Sequence, residues 1–75
     1  MTNLTKLGTF LIKKSINKAE VARKTGISKS RLSELTKNPK THLKAKELYL
    51  ISLAIDVNPS NILDEIFNDT KLKAE

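Results

Sequence analysis

From Asn17 to Asn38 the chain reads NKAEVARKTGISKSRLSELTKN, and this stretch gathers the side chains best suited to recognition chemistry. A helix opening after Ser28 would turn Ser30, Ser33, Glu34 and Lys37 away from Leu32 and Leu35, at 100° per residue. Short hydroxyls, an amine and a carboxylate on one outward strip are donors and acceptors that fit base edges. The DNA major groove is about 12 Å wide and admits one helix. Polar and cationic residues stand on both sides of the strip, Asn17 and Lys18 before it and Lys37, Asn38, Lys40 and Lys44 after it. Such groups fix a protein on the phosphate backbone while the residues between them read bases. Asn17 and Lys18 would also sit at a helix N-terminus, whose partial positive charge favours a phosphate.

Other chemistries lack their parts. The chain has no cysteine and one histidine, His42, so neither disulfides, thiolate metal sites nor a metal cluster is expected. No glycine-rich phosphate loop occurs. Asp64 and Glu65 are helical neighbours, which splays them apart as a solvated face rather than pairing them for acid–base work. No enzyme activity, cofactor or small-molecule effector is expected. The longest nearly apolar run, Leu48 to Ile55, spans eight residues, against the roughly 20 that a bilayer needs. With no signal-peptide pattern, the expectation is a soluble cytoplasmic protein without a membrane partner.

The elements that must position the strip can be read from spacing. Seventy-five residues allow one domain and one small core, with residues 1–67 as that domain and 68–75 as a polar, frayed tail. Apolar residues recur at three- and four-residue spacings, without sustained alternation. Five helices are predicted: 4–15, 18–25, 29–37, 44–55 and one opening at Asn58-Pro59. Asn17 caps the second, with Glu20 as its capping-box partner, and Gly26 ends it. Ser28 caps the third, and Asn38-Pro39 stops it. The predicted core is Leu4, Leu7, Phe10, Leu11, Ile16, Val21, Ala22, Ile27, Leu32, Leu35, Leu48, Ile51, Ala54 and Ile55.

With these residues in view, Leu7 to Leu63 resemble the lambda-repressor-like, Cro-type (XRE) helix-turn-helix family. The matching positions are Val21-Ala22, Gly26-Ile27-Ser28, Leu32-Ser33, Leu35, Pro39, Leu48 to Ile55 and Val57 to Leu63. The resemblance implies an all-α, five-helix domain with the helix-turn-helix at the second and third helices. It implies sequence-specific double-stranded DNA binding by a small transcriptional regulator, a repressor or phage-type switch protein. The family's base-reading positions fall on Lys29, Ser30, Ser33 and Glu34, with Ser28 touching phosphate or a base edge. Lys29 would favour guanine and Glu34 a cytosine amino group. The family often has Gln where this chain has Lys18; a lysine keeps the phosphate contact but cannot brace the groove helix with an amide.

Several alternatives stay open in the sequence. Glu34 reads either as a base contact or as a salt bridge to Lys37 or Arg31. Arg31 either packs its stem on the body or meets a phosphate. Lys6, Lys13 and Lys14 read as solvated surface. One short helix reads few bases, so a homodimer on a two-fold operator is expected, with half-sites about 34 Å apart. Ile62, Leu63, Ile66 and Phe67 form the candidate interface, or else all four are buried in the monomer. The charge is uneven: residues 1–46 hold twelve of the fourteen Lys and Arg and two of the eight acids, net +10, and the remainder is −4. That asymmetry fits a polyanion partner. The rival function is a protein-binding module, such as an antitoxin or anti-repressor, using the same fold. RNA binding is the weaker third, since three aromatics leave little for base stacking.

Overall fold

Polar caps set where the helices begin. In the computed structural model, which describes residues 4–73, the elements are α1 (Lys6–Lys13), α2 (Lys18–Thr25), α3 (Lys29–Lys37), α4 (Ala45–Ala54) and α5 (Pro59–Ile66). Thr5, Asn17, Ser28 and Asn58 each place a side-chain oxygen on an amide of the following turn, satisfying donors that the helix itself cannot. At α4 the device is reversed, and the Glu47 carboxylate accepts from the Lys44 amide at 3.0 Å. Among the described residues all regular structure is helical. The all-α, five-helix expectation holds. Residues 1–3 of the predicted domain and 74–75 of the predicted tail lie outside the described range.

The bounds of α2 and α3 are those expected. Helix α1 is shorter than 4–15, because Thr5 is its cap and Ser15 turns to φ 56° after it. Lys44 and Ile55, expected inside α4, are its caps. Glu20 does not close a capping box. Asn17 Oδ1 accepts from the amides of Ala19 and Glu20, and the Glu20 carboxylate pairs with Arg23 at 2.6 Å.

The core joins Leu7, Phe10, Leu11, Val21, Ala22, Leu32, Leu35, Leu48, Ile51, Ile62 and Ile66. Helix α1 packs on α3 and α5, α2 packs on α3 and α4, and α4 packs on α5. Leu4, Ile16, Ile27, Ala54 and Ile55 are half-buried. Of the four candidate interface residues, Ile62 and Ile66 are core, 0% and 6% exposed, and are withdrawn from any interface. Leu63 and Phe67 remain at the surface, 44% and 45% exposed. Helix α5 presents one apolar stripe inward, and Leu63 and Phe67 fall beside it.

A junction between α1 and α3 was invisible in the sequence. The Thr5 hydroxyl donates to the Leu35 carbonyl at 2.8 Å and accepts from the Gly8 amide at 3.0 Å. The Thr5 amide donates to the Thr36 carbonyl at 3.0 Å. At Gly8 a side chain would collide with that same carbonyl oxygen, so glycine is what lets α1 lie against the end of α3.

Candidate nucleic-acid interface

The turn between α2 and α3 is built to be stiff. Gly26 takes the left-handed conformation, φ 79°, and its amide returns to the Ala22 carbonyl at 3.0 Å. That conformation is strained for any residue with a Cβ. The Thr25 hydroxyl donates to the Val21 carbonyl at 2.7 Å and accepts from the Ile27 amide at 3.1 Å, tying both sides of the turn to one side chain. Ile27 is half-buried beneath it. Val21 and Ala22 are buried below, and the small Ala22 permits close approach of the next helix.

Helix α3 is anchored on one side and open on the other. Leu32, Leu35 and Thr36 are buried, at 3% exposure or less. Lys29, Ser30, Glu34 and Lys37 are exposed, while Ser33 is half-buried. Ser33 lies in a shallow cleft with Lys18, Ala19, Lys29 and Leu32, where the starts of α2 and α3 meet. Thr36 was not anticipated as core. Its hydroxyl donates to the Ser33 carbonyl at 3.1 Å and faces Lys18 Nζ at 3.5 Å. Lys18 therefore reaches α3 after all, through its ammonium and a buried threonine rather than through an amide.

The expected phosphate-binding residues are all exposed, but some are already engaged. Asn17 has its carbonyl oxygen committed to the α2 cap, which also occupies two amides of that helix end. Ser28 Oγ accepts from the Arg31 amide at 3.1 Å, which leaves its hydroxyl proton free to donate. Asn38 Nδ2 donates to Glu34 Oε1 at 3.0 Å, and Asn38 Oδ1 accepts from the Lys40 amide at 3.0 Å. Asn38 is thus a loop brace before it is anything else. Lys37, Lys40 and Lys44 have exposed side chains beside α3.

Arg31 is half-buried and packs on the body, one of its two sequence readings, whereas the salt bridge read for Glu34 does not form. Glu34 makes no ion pair with Lys37 or Arg31; its Oε1 accepts from Asn38 and, at 3.3 Å, from the Thr41 hydroxyl. Arg31 grips Glu47 through two bonds, Nε to Oε2 at 2.7 Å and Nη2 to Oε1 at 2.9 Å. Nη2 also donates to the His42 carbonyl at 2.8 Å. The Arg31 bonds hold the Glu47 carboxyl below the usual glutamate range against the opposing effect of burial, helped by the Lys44 amide. Reciprocally, Glu47 raises the Arg31 guanidinium. At the two ends of α1, Lys6 pairs with Asp69 at 2.7 Å, and Lys14 lies 5.6 Å from the Phe10 ring centre. No helix among the described residues is long and apolar enough to cross a membrane.

What this arrangement offers is a rigid helix with polar and cationic groups on its open side. Its ends are flanked by lysines. The family model for the Cro/C1-type HTH DNA-binding domain matches residues 6–68, from the first residue of α1 to just beyond α5. No curated protein and no solved structure matches the chain.

Proposed function

The chain belongs to the Cro/C1-type HTH DNA-binding domain family, and from that premise we propose that it is a sequence-specific transcriptional regulator, acting in the cytoplasm as a repressor or phage-type switch protein. Helix α3 enters the major groove of double-stranded DNA. Lys29, Ser30 and Ser33 read bases, and Asn17, Lys18, Ser28, Lys37, Lys40 and Lys44 meet phosphates. The observation that carries this reading is the two-sidedness of α3: Leu32, Leu35 and Thr36 are sealed inside while Lys29, Ser30 and Lys37 stand out in solvent. A groove helix must be held firmly by the side that does not read.

The active unit is a homodimer on a two-fold operator, and its interface includes Leu63 and Phe67. Tyr49 joins them in one apolar groove with Leu43, Leu48 and Pro59. The same groove favours the rival reading, a protein-binding module such as an antitoxin or anti-repressor. Salt separates the two. DNA binding loses affinity with a log–log slope of about −0.9 per phosphate neutralised, whereas an apolar contact responds little.

The test begins with selection of bound duplexes from a random pool, followed by anisotropy titrations over a salt series. Ser30→Ala is expected to change the selected sequence at one position. Lys37→Ala and Lys40→Ala are expected to weaken all duplexes alike and to flatten the slope by about 0.9 each. If Ser30→Ala merely lowers affinity for every sequence, the assignment of bases to the start of α3 fails.

A further inference from the structure

The loop from Asn38 to Lys44 carries two exposed lysines, Lys40 and Lys44, and five of its seven residues are exposed. Such a segment would ordinarily move about. Here it is held from two points on α3. Glu34 Oε1 takes the Asn38 amide group and the Thr41 hydroxyl. Three residues earlier, and so next to it on the helix surface, Arg31 donates to the His42 carbonyl and locks onto Glu47. Glu47 Oε1 in turn takes the Lys44 amide. The loop closes on itself as well, through Asn38 Oδ1 to the Lys40 amide and the Thr41 amide to the Asn38 carbonyl. Asn38, Lys40, Thr41, His42 and Lys44 are all fastened by these bonds.

Charge argues in the same direction. A carboxylate set among DNA phosphates is repelled unless a cation or a base donor answers it. Glu34 instead spends an oxygen on two neutral loop donors. An arginine on a groove helix is a natural phosphate ligand, yet the guanidinium of Arg31 already has a bidentate carboxylate.

We infer that Arg31 and Glu34 are positioning residues that clamp the basic loop 38–44 onto α3, so that Lys40 and Lys44 meet the DNA backbone in one fixed register without either clamp residue touching DNA. This rests on the reading of α3 as the groove helix. It also accounts for an acid on a DNA-facing surface.

Three variants test it against selected duplexes. Glu34→Ala and Glu34→Gln both remove the charge, but only the glutamine keeps an acceptor for Asn38 and Thr41. Glu34→Ala is expected to flatten the log–log salt slope by about 0.9 or more, one or two phosphate contacts, relative to Glu34→Gln. Glu47→Gln breaks the bidentate grip while leaving Arg31 in place, and is expected to flatten the slope likewise. In the DNA-free protein, amide exchange at Lys40 and Thr41 is expected to quicken in Glu34→Ala and to stay slow in Glu34→Gln. Three results overturn the inference. Equal slopes for the two Glu34 variants show an idle clamp. A changed base preference in Glu34→Gln makes Glu34 a reader of DNA. Tighter binding by Glu47→Gln shows a released Arg31 seeking phosphate. If the unsubstituted chain binds no duplex with a steep salt dependence, the groove-helix reading itself fails, and the inference goes with it.

Discussion

A methyl group at position 8 would meet the Thr36 carbonyl oxygen, with the Thr36 Cβ another 3.2 Å contact. Helix propensity alone says that Gly8→Ala should stabilise α1 by up to about 1 kcal/mol. Packing says the reverse, because the obstacle is backbone and already accepts from the Thr5 amide. Overpacking of this kind costs about 1–3 kcal/mol, so Gly8→Ala is expected to lower the urea midpoint. A rise would show that α1 and α3 lie less close than described. Gly26 is the contrasting case, with nothing within 4 Å of its notional Cβ. Its cost is conformational only, about 1 kcal/mol for alanine in the left-handed region, and Gly26→Asn should recover part of it. Gly26 was legible in the sequence because its reason is local, a turn after eight helical residues. Gly8 was not, since its reason sits 28 residues away. The same distinction runs through the site. Spacing placed Ser30, Glu34 and Lys37 on the outward side of α3, but where the Glu34 carboxylate and the Arg31 guanidinium would go depended on a loop whose path no periodicity gives.

At the level of helices, the ends that local caps define were readable and the ends that tertiary contacts define were not. Asn17, Gly26, Ser28 and Pro59 gave α2, α3 and the start of α5 to the residue. Helix α1 begins later than its apolar pattern because Thr5 serves two helices, capping its own and taking the last carbonyls of α3. Helix α4 is joined to α3 by Arg31 and Glu47, and this link has a pH signature. The folded Glu47 carboxyl titrates below the usual glutamate range, chiefly through its bonds to Arg31, while in the unfolded chain it titrates within that range. The bridge therefore stabilises the fold fully above the usual range, and that contribution is lost as pH falls through the lowered folded value. Melting temperature at fixed ionic strength is expected to drop on acidification in that window, and to drop less steeply in Glu47→Gln. Glu20 beside Arg23 and Asp69 beside Lys6 are lowered in the same sense, so some slope persists in the variant. Identical profiles for the two proteins would mean that the α3–α4 bridge contributes nothing to stability.

Considered whole, the molecule carries exposed lysines on and beside α3 and large exposed apolar side chains on α4 and α5. Tyr49 and Leu53 on α4 are 55% and 58% exposed, and Leu63 and Phe67 on α5 add two more large apolar side chains at the surface. Each pair is four residues apart and so shares a helix face. The sequence left four α5 residues open between an interface and the monomer core because periodicity cannot tell a stripe that fills its own core from one that has surplus. The core took Ile62 and Ile66, and the surplus is Leu63 and Phe67 together with Tyr49, which spacing along α5 could not have supplied. A two-fold pairing through such a patch is self-complementary by construction and doubles the bases read. The burial difference gives a clean separation of effects. Phe67→Ser removes a half-exposed ring, so the monomer should stay folded while the dimer dissociates, and operator affinity should fall more steeply than affinity for a single half-site. Ile62→Ala empties a fully buried position and should cost about 2–5 kcal/mol at every protein concentration. Sedimentation with and without the two-fold duplex distinguishes these cases. If the unsubstituted chain stays monomeric at high concentration and on the duplex, the patch serves a different protein, and Phe67→Ser should then leave DNA affinity unchanged.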